Sequence, residues 1–551
     1  MMEHLALLSL FLGILALSNI AEEVYADSPY KYFDLNLTYG IISPLGVRQR
    51  GILINGQFPG PTIDCDTNDN IFITVHNNLD EPILITWNGV WLRKMSWQDG
   101  VLGTNCPIQP YSNWTYRFQA KDEIGSYMYF LSTAMHRADG GFGAFNIHRR
   151  PVISLPYPVP VGEFTLLVGD WYNEKRPQYI NGAAFMLKHK LDYGYGMPMP
   201  DGLLINGKPS KTIFSGKTKK TYLVRVSNVG IMTSINIRIQ GHKLKLVEVE
   251  GSHVLQETYD SLDVHVGQSL AFLVTLNGPV KDYYIVASTR FTKKTLKASA
   301  ILHYKGSKVK ASGPLPVGPT YQVHWSMKQA RSFRWNLTAN AARPNPQGTF
   351  RYGGIKITKT IIMGNSAQKL KEKFIDKLYY GVNNVSYVNP TTPLKLADYY
   401  NIPRVFNLKT SRNKPTPGPM IRGTAVYGLE LHDFAEIIFQ NDESTIQSWH
   451  LDGHNFFVVG FGANKWSPQM RSKYNMVDAV WRSTVQVYPN AWTAILVSLD
   501  NKGMWNLRST IWHRQYLGQQ VYLRVWNNER SIRTENEIPS NVLKCGKATN
   551  Y

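Results

Sequence analysis

The residue types and spacing best suited to chemistry lie in Trp449-His450-Leu451-Asp452-Gly453-His454. His450 and His454 flank Asp452 at i and i+4, and two imidazoles with a carboxylate suit zinc or a lone copper ion. Satisfied core histidines fit the same pattern, and no bound metal is expected. No G-x-S-x-G nucleophile turn, zinc-protease helix or phosphate-cradling Gly-rich loop accompanies them, so no catalytic residue is assigned. The Asn441-Asp442-Glu443 run reads as a turn. Three cysteines, Cys65, Cys106 and Cys545, allow one disulfide and leave one thiol over. Sequons at Asn36, Asn113, Asn336 and Asn384 are candidate glycosylation sites.

The elements that must position these residues read as strands. Glycine (43) and proline (30) are plentiful and aromatics make up 12%, which favours short strands and turns over long helices. GILINGQFPG at 51–60 is echoed by GLLINGKPS at 202–210. Each is a short apolar strand ending in an Asn-Gly turn, followed by an alternating strand that closes on Asn: 69–78 and 221–228. A third version runs from Ala425 to Asn441. Alternation also predicts strands over 126–131, 164–168, 234–239, 270–276, 283–287, 456–459 and 494–499. Repeats spaced by whole domains imply duplicated sandwiches. Turn-rich stretches place the boundaries, giving units at 27–150, 151–320 and 321–551. The span 383–419 reads as a long insertion or surface excursion, and 367–378 as the only short helix.

Residues 1–26 read as a signal peptide. Leu5 to Leu17 is an apolar run of 13 residues, too short to span a bilayer. Cleavage is expected after Ala26, with Ala21 the rival. No later segment reads as a transmembrane helix, and the polar C-terminus lacks the tail of a glycosyl-phosphatidylinositol signal. A secreted, extracellular glycoprotein follows. The net charge is +21, and removing Glu3, Glu22 and Glu23 with the leader raises it to +24. Such a charge attracts polyanions. Because it is spread out, acidic wall polysaccharide such as pectin is a better partner than nucleic acid. The densest run, Lys217-Thr218-Lys219-Lys220, reads as a solvated turn.

Four stretches resemble the plant multicopper oxidases, which include ascorbate oxidases and laccases. They are Asn55 to Pro61, Gly125 to Tyr129, Trp449 to His454, and Gly503-Met504-Trp505. More narrowly, the chain is similar to the pollen-specific ascorbate-oxidase homologues and the SKU5-similar branch. The resemblance covers residues from about 30 to 545. It implies an all-β chain of three cupredoxin-like antiparallel β-sandwich domains, in a family that couples four coppers to dioxygen reduction.

The family's copper ligands fall on positions that have changed. The first His-x-His falls on Thr86 and Asn88, and the second on Phe130 and Ser132. The His-x-x-His-x-His cluster falls on Gln447, His450 and Asp452. The His-Cys-His run falls on Arg508, Ser509 and Thr510, followed by Arg514 and the axial Gln519. Of the eleven His and Cys positions only His450 matches, and Ser509 cannot replace a blue-copper thiolate. No cofactor is therefore expected, and the chain reads as non-catalytic. A copper-dependent oxidase of the L-ascorbate oxidase type is the alternative. Opposite charges at two former ligand positions suggest a buried Asp452–Arg508 pair, with Phe130 filling vacated space. The resemblance also implies a Cys106–Cys545 disulfide, leaving Cys65 as a buried thiol, and a role in pollen germination or pollen-tube growth in the wall.

Overall fold

A computed structural model describes residues 29–175, 181–337, 351–372 and 374–551. The expected signal peptide lies outside the described residues. The strands fall into three sets, at 30–148, 163–304 and 359–526, each making two sheets. In the first set, one sheet runs Gln49–Ile54, Tyr30–Ile42, Asn70–Asn77, Ser112–Gln119. The other runs Ile63–Asp66, Phe142–His148, Gly125–Leu131, Ile85–Asn88. Strict alternation decides which face is buried: Ile71, Ile73 and Val75 point into the core, while Asn70, Phe72, Thr74 and His76 point out. Most pairs are antiparallel, but each of the six sheets also holds a parallel pair, such as Tyr30–Ile42 with Asn70–Asn77.

The two echoed segments are hairpin turns. Asn55 and Gly56 have φ of 52° and 71°, and Asn206 and Gly207 have 48° and 77°. Asn-Gly is the pair that tolerates two successive left-handed residues, which is why the motif recurs.

The helix expected over 367–378 is not formed. Lys359–Glu372 and Ile375–Val382 pair as a long hairpin, with Asn365 opposite Val382 and Glu372 opposite Ile375. Ala, Gln, Lys, Leu and Glu favour helix intrinsically, but ladder pairing outweighs propensities worth tenths of a kcal/mol per residue. Helices occur instead at Ala183–Asp192, Val323–Ser332, Leu394–Tyr399 and Trp512–Tyr516. The span 383–419 is more than a surface excursion. Its helix buries Leu396 and Ala397 beside Trp97 and Cys106.

Cys106 and Cys545 form a disulfide across 439 residues of chain, and the tail is held further by Trp114 Nε1 donating to Asn541 O at 2.6 Å. Cys65 is a buried free thiol in the first core. No helix of the described residues is long and apolar enough to cross a membrane.

Candidate functional site

The three strand sets meet around the residues singled out by the sequence. Gln447–Leu451 lies between Thr484–Val487 and Gly503–Ser509, with His450 opposite both Thr484 and Arg508. Asn88 of the first set and Ser448, Thr484 and Thr510 of the third all turn toward the Val266–Gly267 loop of the second. Asn88 Nδ2 donates to Gly267 O at 3.0 Å, while Ser448 Oγ and Thr510 Oγ1 donate to Val266 O at 2.9 and 2.7 Å. Glu250 reinforces this junction by accepting from Arg482, from the Ser483 and Thr484 amides, and from the Ser483 hydroxyl.

The expected ion pair is present. Arg508 Nη1 donates to Asp452 Oδ2, with both side chains buried, and also to Asn506 Oδ1 at 3.2 Å. His450 is hydrogen-bonded through one nitrogen and faces a carboxylate with the other. Nδ1 lies 2.7 Å from Thr484 Oγ1, and Nε2 lies 3.1 Å from Asp452 Oδ1. Burial holds the His450 imidazole below its ordinary range and so keeps it neutral. Burial alone would raise Asp452, but Arg508 and the His450 hydrogen bond outweigh it and hold that carboxyl below the usual carboxylate range.

Two participants carry no motif. Asp99, on the loop before Gly100, is fully buried and feels the charge of Asp452. Burial, then the Asp452 charge, pushes its carboxyl well above the ordinary carboxylate range. Ser132, next in line, donates to Gly100 O. Arg137 lies with its guanidinium 4.1 Å from the Phe130 ring centre, and Trp512 packs edge-on to the same ring at 5.3 Å. Burial lowers Arg137 to about 9. Phe130 therefore does more than fill space: it carries a buried cation.

The remaining positions form a second group, also buried. Gln447 Nε2 donates to Asn441 Oδ1 at 3.0 Å, and Gln519 Nε2 approaches Gln447 Oε1 at 3.5 Å. Arg514 pairs with Glu443 and lies 4.5 Å from the Tyr380 ring centre. The Asn441-Asp442-Glu443 turn thus supplies a carboxylate to a former ligand position. Ser509 Oγ and Thr86 Oγ1 are buried with no hydrogen-bond partner among the described residues. His454 is not joined to His450. It packs edge-on to Trp505 at 5.8 Å, and burial lowers it to about 4. Among the described residues, no group of three or more His, Cys, Asp or Glu is placed to hold a metal ion.

The sequons differ in setting. Asn36 and Asn113 are exposed and sit in one cross-strand row on either side of His76. Asn384 donates its amide hydrogens to Thr416 O and Gly418 O at 2.8 and 3.1 Å, so a glycan would displace one bond. Asn336 is only 9% exposed.

Profiles described as multicopper oxidase match residues 36–152, 162–307 and 391–531. An L-ascorbate oxidase homolog of Nicotiana tabacum is 50% identical over 535 residues, covering 95% of this chain and 94% of its own length. The monocopper oxidase-like protein SKU5 of Arabidopsis thaliana is 46% identical, covering 95% and 90%. The crystal structure of Fet3p, a multicopper oxidase, superposes with a TM-score of 0.75 at 20% identity over 90% of each chain.

Proposed function

The chain belongs to the multicopper oxidase family, and we propose that it is a secreted, non-catalytic member whose copper positions have become an ion-paired polar junction. The observation that carries this reading is the buried Arg508–Asp452 pair, with His450 Nδ1 hydrogen-bonded to Thr484 and Nε2 facing Asp452. The residues present do not fit copper. A guanidinium is cationic and cannot ligate, and the hydroxyls and amides that remain are poor copper donors. The three cysteines are a thiol buried in the first core and a disulfide, so none supplies the thiolate at position 509, where Ser509 presents an orphaned hydroxyl. A copper-dependent oxidase of the ascorbate-oxidase type would need donors this set does not supply.

The biological role in this reading is binding of acidic wall polysaccharide in the apoplast. The resemblance to the pollen-specific branch adds pollen germination and tube growth as the setting. The charge distribution supports it. Lys217, Lys219, Lys220, Lys305, Lys308 and Lys310 are far apart in sequence yet exposed at one end of the second sandwich. There, Lys305 N donates to Gly216 O at 2.8 Å, Lys219 N to Leu276 O at 2.7 Å, and Asp282 N to Val309 O at 2.8 Å. Lys310 lies 3.6 Å from Asp282, and the other five form no ion pair among the described residues. Co-sedimentation with polygalacturonate tests the role: binding at low ionic strength that fades as salt rises is expected. No binding at low salt contradicts it.

A further inference from the structure

A second feature of the first sandwich bears on how such a polymer is read. The outward face of its four-stranded sheet carries Tyr32, Phe72 and Arg117 in one cross-strand row, with Tyr32 opposite Phe72 and Phe72 opposite Arg117. Tyr32 is 71% exposed and stacks on Phe72 at 5.0 Å between ring centres, with 22° between planes. Tyr30, 49% exposed, adds a third ring at 6.2 Å from Phe72. Three aromatic rings on solvent-facing strand positions bury nothing in the core, so the hydrophobic effect does not account for them there.

Phe72 and Arg117 of this row line a cleft of about 640 Å³, with Tyr32 stacked on Phe72 beside it; residues 93–95 and Asn536 of the C-terminal tail also line it. The volume falls within the usual range for small-ligand sites. Four cations line it, Arg93, Lys94, Arg117 and Lys121, and no carboxylate does. Arg93 and Lys121 are partly neutralised by Asp500 and Asp122 at 3.3 and 3.4 Å. Lys94 reaches the Ile532 carbonyl at 3.3 Å, and Arg117 forms no ion pair among the described residues. Asp34, the nearest acid along the face, is one row beyond and is shared with His76. Between the cations, Asn70 and Gln119 supply carboxamides from the row beside Phe72.

We propose that this cleft binds a short segment of a polyuronate chain. A sugar ring presents a C–H face suited to a flat aromatic surface. A uronate adds one carboxylate per sugar, which a guanidinium grips through two parallel N–H donors. The carboxamides suit the hydroxyls. The proposal rests on the polysaccharide reading above but assigns a different task to this site. The lysine-rich end of the second sandwich supplies long-range attraction, and the cleft supplies recognition of a short acidic oligomer.

The experiment titrates the full-length glycoprotein with a short oligogalacturonide, its methyl-esterified form and polygalacturonate. It compares wild type, Arg117→Gln, Arg117→Lys, Tyr32→Ala and the triple variant Lys217→Gln/Lys219→Gln/Lys220→Gln. Unchanged circular dichroism establishes that each variant folds. Oligogalacturonide affinity should fall roughly tenfold or more in Arg117→Gln, consistent with losing a charge-assisted bond. It should fall in Tyr32→Ala, return in part in Arg117→Lys, and be unaffected in the triple variant. Equal affinity for the esterified oligomer overturns the assignment of an acidic ligand. Polymer binding that is lost in the triple variant and insensitive to Arg117 and Tyr32 overturns the cleft while leaving the polysaccharide reading intact. Absence of all binding by the wild type overturns both.

Discussion

Arg508 and Asp452 are buried with almost no solvent contact, so each depends on the other to offset its desolvation. Asp452→Ala or Arg508→Met alone should destabilise the fold by about 3–5 kcal/mol, because each leaves an uncompensated buried charge. The double variant Asp452→Leu/Arg508→Met should recover most of that loss. Chemical denaturation of the four proteins reads this directly, and single variants as stable as wild type would show that the pair holds nothing. The pair was legible in the sequence because opposite charges stood at two positions matched to one metal centre. Asp99 and Arg137 were not legible. Neither lies in a ligand motif, and only the fold shows that Asp99 reaches Asp452 or that Arg137 reaches Phe130.

Elements, like single residues, are held by partners distant in the chain. The helix Ala183–Asp192 has no side-chain cap from its own N-terminus; Asp139 provides it, accepting from Ala184 N at 2.7 Å. Burial pushes the Asp139 carboxyl up to about 7, with His136 and Arg50 lowering it and Glu81 raising it more weakly. An unfolded aspartate titrates near ~4. Between about pH 4 and 7 the folded protein therefore keeps a proton that the unfolded chain has lost. This contribution is fully present below the unfolded value and is lost as pH rises through the window, by an amount on the order of a few kcal/mol. Asp139→Asn should remove that part of the pH dependence, seen as the difference between variant and wild-type unfolding curves across the window. A difference that does not change with pH would contradict it. The comparison must be a difference because buried neutral His454, lowered to about 4, destabilises in the opposite sense as pH falls below about 6.5. The strands were well marked by alternation and the Asn-Gly turns by composition. The hairpin at 359–382 was hidden because its lysine-rich sequence favours helix until it is paired, and pairing is a property of the neighbouring strand.

Over the whole molecule, the Cys106–Cys545 bond fastens the tail to the first sandwich across the length of the chain. Cys545→Ser should cost about 2–5 kcal/mol and expose residues after about 530 to proteolysis while the sandwiches persist. Limited digestion followed by mass analysis checks this, and an unchanged cleavage pattern would show that the tail needs no clip. The repeats pointed to duplicated sandwiches, and the family resemblance supplied their number. The gathering of charge was not, since the lysines at 217–220 and 305–310 meet only once their strands are paired. The central claim is that an ion pair has replaced copper where the three sandwiches converge. Its most direct test is metal quantification of the protein purified from its native source, with oxygen uptake and paramagnetic resonance on the same sample. Well under one copper per chain, no blue-copper signal and no copper-dependent oxygen consumption are expected. Stoichiometric copper with oxidase activity would contradict it.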